Sequence, residues 1–135
     1  MAAVSQAFAE SQQRQGLVIG VLPCSEDDPC SRDDRYPNPW VEIPVFTHLP
    51  FSGRRGTDKM SRNHINVLTS DVIVVLPGSH GTASEASLAI RYQRPVVAYL
   101  SDEHDVPGLP NDVPVVRSIE QVEEFVRSHL PAATQ

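Results

Sequence analysis

The residues with the most chemical potential in this chain lie close together: Pro77-Gly78-Ser79-His80-Gly81-Thr82, then Glu85. Glycines let a backbone approach a ligand closely and take conformations with positive φ. A helix that opens after such a loop presents unpaired N–H groups and the positive end of its dipole. Together these make an anion site, most naturally for a phosphate; the plainer reading is a tight turn. Ser79 and Thr82 would add hydroxyl donors. The loop is neither a Walker A sequence, since it lacks Gly-Lys-Ser/Thr, nor a GxGxxG fingerprint.

Glu85 has two readings. Thr82-x-x-Glu85 fits a capping box, in which the carboxylate returns to the cap residue's N–H. A carboxylate beside an anion site also makes sense if the ligand carries a group that needs an acid, a base or a hydroxyl partner. Arg62, upstream, has the fork geometry to clamp phosphate in bidentate fashion, or is a surface residue. His80 adds an imidazole to the loop, although a lone loop histidine is more often incidental.

The elements that must position these residues follow from hydrophobic periodicity. Residues 2–15 read as a helix with Val4, Ala7, Phe8 and Ser11 on one face and Gly16 as its stop. Leu17 to Pro23 and Asp71 to Pro77 are continuous apolar runs of strand length, as expected for strands covered on both faces of a parallel sheet. Trp40 to Leu49 reads as a shorter strand, and Pro44 within it favours an edge. A helix is expected over 58–69, with Met60, His64, Val67 and Leu68 on one face, and another over 83–93. Pro95–Leu100 and Val113–Arg117 are further strands, with loops at 24–40, 50–56 and 101–112. Ser118 opens the last helix with Gln121 as its capping-box partner and Ile119, Val122, Phe125 and Val126 as its apolar face. Strands alternating with helices mean an α/β domain, expected over 1–130, with a frayed tail at 131–135.

Composition narrows the function classes. The 135 residues are enough to bury a core without disulfides or metal. Net charge is −6, which argues against a protein that grips nucleic acid through a broad basic face. A local cluster of Arg54, Arg55, Lys59 and Arg62 reads as a basic patch or as a solvated loop. Cys24 and Cys30 flank an acidic loop and read as structural or incidental, since a metal site would want more partners at shorter spacing. No metal, no membrane span and no signal peptide are expected, and a cytoplasmic location is the default.

At this point the residues look like a family. The stretch SRNHINVLTSDVIVVLPGSHGTASEASLAIRYQRPVVAYL resembles the Lonely-guy-type and "possible lysine decarboxylase" superfamily, whose hallmark is a strand followed by Pro-Gly-Gly-x-Gly-Thr-x-x-Glu. Arg62-Asn63 before that strand, and NPWVEIPVFTHL further upstream, look most like the branch that includes molybdenum-cofactor carrier proteins. The first 23 residues resemble the helix and strand that follow the family's first glycine-rich motif, so the resemblance covers about residues 1–100.

The resemblance implies a modified Rossmann-like, three-layer fold with a mostly parallel sheet, and a homodimer. Lonely-guy members hydrolyse the N-glycosidic bond of nucleoside 5′-monophosphates; carried over by position, Arg62 and Glu85 are the catalytic pair. Gly78, Gly81 and Thr82 would hold the phosphate, with Ser79, His80 and Asn63 completing the ligand-binding set. The carrier branch instead binds a phosphorylated pterin–metal cofactor. The expected partner is thus a phosphorylated small molecule, either a nucleotide or a molybdenum cofactor, and no cofactor is required for chemistry. Binding is the leading reading, phosphoribohydrolase activity the alternative, and a remnant that only dimerises the third. Pyridoxal-phosphate decarboxylation is not expected, because no lysine sits in a context for a Schiff base.

The chain departs from the family pattern in two ways. Ser79 stands where the hallmark has its second glycine, which narrows the loop. The family's opening strand, helix and second strand with its Gly-rich loop do not precede Met1, so the expected domain is N-terminally truncated relative to the family.

Overall fold

Short apolar strands, each parallel to its neighbour, alternate with helices along the chain. The computed structural model describes residues 1–28, 31–32, 35–102 and 105–130. Cys30 and the 131–135 tail therefore lie outside the described residues. The chain divides into two compact units, Met1–Phe51 and Ser52–Gln135.

In the first unit, helix α1 spans Ala2–Glu10 and stops at Ser11, whose backbone is extended. It is shorter than the sequence pattern suggested, and its expected apolar face is not a buried one. Val4 and Phe8 remain exposed, and Ser5 is the residue it buries. Strand β1 (Ile19–Leu22) pairs in parallel with β2 (Ile43–Phe46), from Ile19↔Ile43 to Leu22↔Phe46. A two-stranded sheet has only edges, which accommodates Pro44 because its missing N–H disrupts no inner ladder. It also leaves the expected double coverage of β1 unfulfilled: Ile19 is 61% exposed. The Arg14 guanidinium grips both oxygens of Glu42, at 2.5 and 2.8 Å, and the Val18 N–H donates to the same carboxylate at 2.8 Å. Those donors, Arg14 first, hold the Glu42 carboxyl down at about 2.

The second unit has a sheet ordered β3 (Ile73–Val75), β4 (Val96–Tyr99), β5 (Val115–Val116), all parallel. Central β4 is the apolar strand that is covered on both faces, with Val96, Val97 and Ala98 buried. Outer β3 exposes Val74, which corrects the sequence reading of Asp71–Pro77 as covered on both sides. Helix α3 (His80–Arg91) buries Ala83, Ala86, Leu88 and Ala89 in the core. Three of these are alanines, which let the helix axis lie close to its neighbours. Helix α2 is confined to Asn63–Leu68, preceded by a single 3-10 turn at Gly53–Arg55. Its buried residues are Asn63 and Val67; Met60 and Leu68, expected on the inner face, are exposed. Helix α4 (Ile119–His129) starts as expected. Ser118 Oγ accepts from the Gln121 N–H and Gln121 Oε1 accepts from the Ser118 N–H. Val122 is its buried residue, while Ile119 is exposed.

The architecture is a mixed α/β, Rossmann-like fold whose parallel strands lie in two sheets. Among the described residues no helix is long and apolar enough to cross a membrane.

Candidate functional site

The chain leaves β3 at Val75 and turns through Pro77 and Gly78 into α3. The N-cap of α3 is Ser79, three residues before the cap position that a helix over 83–93 would use. Thr82 is therefore already the third helical residue and not a cap. The capping box expected between Thr82 and Glu85 does not form, because a box needs its first member outside the helix. Instead Thr82 reaches back over Gly78, where a Cβ would collide with its Oγ1 and lie 3.0 Å from its Cβ. Glycine at 78 is thus a steric requirement, and its N–H is anchored to the Asp105 carbonyl at 3.0 Å.

Ser79 makes no side-chain cap bond. Among the described residues, none accepts a hydrogen bond from the N–H groups of His80, Gly81 or Thr82. Gly78, Ser79 and His80 are exposed, so the positive end of the α3 dipole faces solvent. The 3-10 turn bearing Arg54 and Arg55 is tied to this helix end. Ser84, 7% exposed, sets its hydroxyl 2.9 Å from the carbonyls of both Gly53 and His80. Gly53 Cα also lies 3.7 Å from where a Cβ on Gly81 would be. Part of the basic cluster seen in the sequence is therefore carried beside the α3 N-terminus. Arg55 also pairs with Asp58 at 3.1 Å.

Glu85 turns toward α2. Its Oε1 accepts from Asn66 Nδ2 at 2.9 Å and lies 4.0 Å from Arg62 Nη1. The side chains of Arg62 and Glu85 are 17% and 31% exposed, so the pair is sheltered but reachable. Arg62 occupies the position just before α2, four residues ahead of Asn66, and the two stand on one face of that turn. An exposed helix N-terminus and a carboxylate flanked by a cation and an amide thus share one helix. Such a set can hold a phosphate and present a hydroxyl acceptor or base next to it.

The chain belongs to the SLOG cluster4 family. The family model matches residues 1–126. Membership agrees, at the level of the superfamily, with the Lonely-guy-type resemblance of the motif. Neither the curated proteins nor the solved structures searched contain a match to this chain.

In this SLOG cluster4 protein the sequence-derived residues separate into two groups. Arg62 and Glu85 are brought together, and Gly78, Ser79, His80, Gly81 and Thr82 form the loop and first turn that precede Glu85 on the same helix. Asn63 is placed differently. It is 2% exposed, its N–H donates to Ser61 Oγ at 3.2 Å, and its Nδ2 abuts Gly56. Sequence reasoning missed Asn66, Ser84 and Gly56. Asn66 had one local signal, its i+4 spacing from Arg62; nothing local marked the other two. His64 also supports this region: its Nε2 donates to the Asp58 carbonyl at 2.8 Å, which leaves Nδ1 to accept from the Tyr92 hydroxyl at 2.7 Å. A cavity of about 840 Å³, lined by Val106, Leu109, Asn111, Val113 and Val115, belongs to the β4–β5 connection and contains none of the candidate residues.

Proposed function

We propose that this SLOG cluster4 protein binds a nucleotide-type phosphorylated small molecule, with the phosphate at the first turn of α3. The observation that carries this reading is the exposed α3 N-terminus, whose first N–H groups donate to no acceptor among the described residues and beside which the Arg54–Arg55 turn is fastened. A phosphate there would meet oriented N–H donors, the helix dipole and nearby guanidinium charge at once. Ser79 narrows the loop and offers a hydroxyl. A nucleotide and a phosphorylated pterin cofactor present the same phosphate chemistry, and a ligand panel separates them.

A second reading, N-glycosidic hydrolysis of nucleoside 5′-monophosphates, is favoured by the 4.0 Å approach of Arg62 to Glu85. Cleavage of a glycosidic bond develops oxocarbenium-like charge on the sugar. A carboxylate beside the ribose would stabilise that charge or polarise the attacking water. Arg62 would balance the phosphate or assist the departing base.

The test is a panel of nucleoside 5′-monophosphates and a phosphorylated pterin incubated with the purified protein and with Glu85→Ala. Chromatography then looks for free base and ribose 5-phosphate, and thermal melts run in parallel. Ligand-dependent stabilisation supports binding, at about 2.7 kcal/mol for ligand at 100 times Kd. Product that disappears in Glu85→Ala supports hydrolysis. No stabilisation by any phosphorylated ligand refutes both.

A further inference from the structure

Glu85 and Asn66 are separated by 19 residues, yet their side chains meet across two helices at 2.9 Å. We propose that Asn66 is a positioning residue that fixes which oxygen of Glu85 faces the ligand. The inference rests on the binding reading above.

The two carboxylate oxygens are not equivalent. Oε1 accepts from the Asn66 amide and is the oxygen nearest to Arg62. Among the described residues, no hydrogen bond reaches Oε2. A carboxylate held at one oxygen by a neutral amide loses a rotational degree of freedom, so its second oxygen points in a defined direction. The Asn66 backbone is itself anchored. Its N–H donates to the Arg62 carbonyl at 3.2 Å, and its own carbonyl accepts from the Ser70 hydroxyl at 2.8 Å. Arg62 could not do this alone: at 4.0 Å it is beyond hydrogen-bond length, so it contributes charge without direction. The direction comes from Asn66, and Oε2 is the oxygen offered to a sugar hydroxyl or to water beyond the phosphate.

The experiment measures affinity for two probes, inorganic phosphate and ribose 5-phosphate, by calorimetry. It uses wild type, Asn66→Leu, Glu85→Gln and the double variant, with a thermal melt of each. Leucine matches the bulk of asparagine and removes the donor. The expected result is that Asn66→Leu weakens ribose 5-phosphate by about 10- to 100-fold, the range for losing one hydrogen bond to a charged group. Phosphate affinity stays within about twofold, and the double variant is no weaker than Glu85→Gln alone, because both changes disable one unit. Equal weakening of the two probes, or an additional loss in the double variant, would overturn the inference and make Asn66 only a tie between helices. Unchanged ribose 5-phosphate affinity in Asn66→Leu would overturn it as well. Failure of wild type to bind either probe would instead overturn the binding reading itself, and the inference with it.

Discussion

One methyl group added at Gly56 and one added at Gly81 should move stability in opposite directions. Gly56 has ordinary right-handed backbone, φ −64 and ψ −14, so alanine meets no conformational barrier there. The obstacle is purely steric. A Cβ at 56 would lie 2.6 Å from Asn63 Nδ2, 2.6 Å from Ser84 Cβ and 2.8 Å from Ser84 Oγ. Asn63 and Ser84 are 2% and 7% exposed and belong to different helices, so neither can swing away into solvent. Relief requires α2 and α3 to part. Overpacking of this kind costs about 1–3 kcal/mol. The stiffer unfolded chain returns about 0.4–1 kcal/mol, which leaves a net loss of roughly 1–2 kcal/mol. At Gly81 the added Cβ would meet Gly53 Cα and N, at an ordinary 3.7 and 3.8 Å. Only the favourable part then applies, a gain of about 0.4–1 kcal/mol. Thermal melts followed by circular dichroism read the difference at roughly 3–6 °C per kcal/mol. Gly56→Ala should melt several degrees below wild type and Gly81→Ala a few degrees above it. A Gly56→Ala protein as stable as wild type would refute the close contact of the Gly53–Gly56 turn with both helices. A strongly destabilised Gly81→Ala would refute the open space drawn above the first turn of α3.

Two further outcomes follow from the same reasoning. Ser118→Ala removes one side of the α4 capping box and should cost about 1 kcal/mol in urea unfolding, with Ser118→Gly costing less. Glu42, held at about 2 chiefly by its hydrogen bonds from Arg14, should contribute stability that is fully present above its ordinary value of 4.5 and is lost as pH falls toward 2. Glu42→Gln should therefore show a smaller loss of stability than wild type between those pH values, measured by denaturation at each pH, and a wild-type profile matching the variant's would refute the pairing.

The sequence alone determined the elements that depend on neighbours within a turn or two. Val96–Tyr99 forms the buried strand that its apolar run demanded, and Ser118 with Gln121 caps α4 because the box is closed within three residues. The step from a strand through Pro77-Gly78 into a helix N-terminus was legible for the same reason. The family resemblance brought Arg62 and Glu85 forward together, and they do meet. Only tertiary structure decided what Glu85 does. Local rules paired it with Thr82, three residues back, but the helix begins at His80, so Thr82 no longer lies at its cap. The carboxylate then found Asn66 on another helix. Likewise Gly56 reads as a loop glycine until Asn63 and Ser84 close in on it from two sides. The apolar strand at Ile19–Leu22 was expected to be covered, but coverage depends on how many strands join a sheet, and this sheet has two. Periodicity records which residues can be buried; the packing of distant elements decides which of them are, and which polar groups meet.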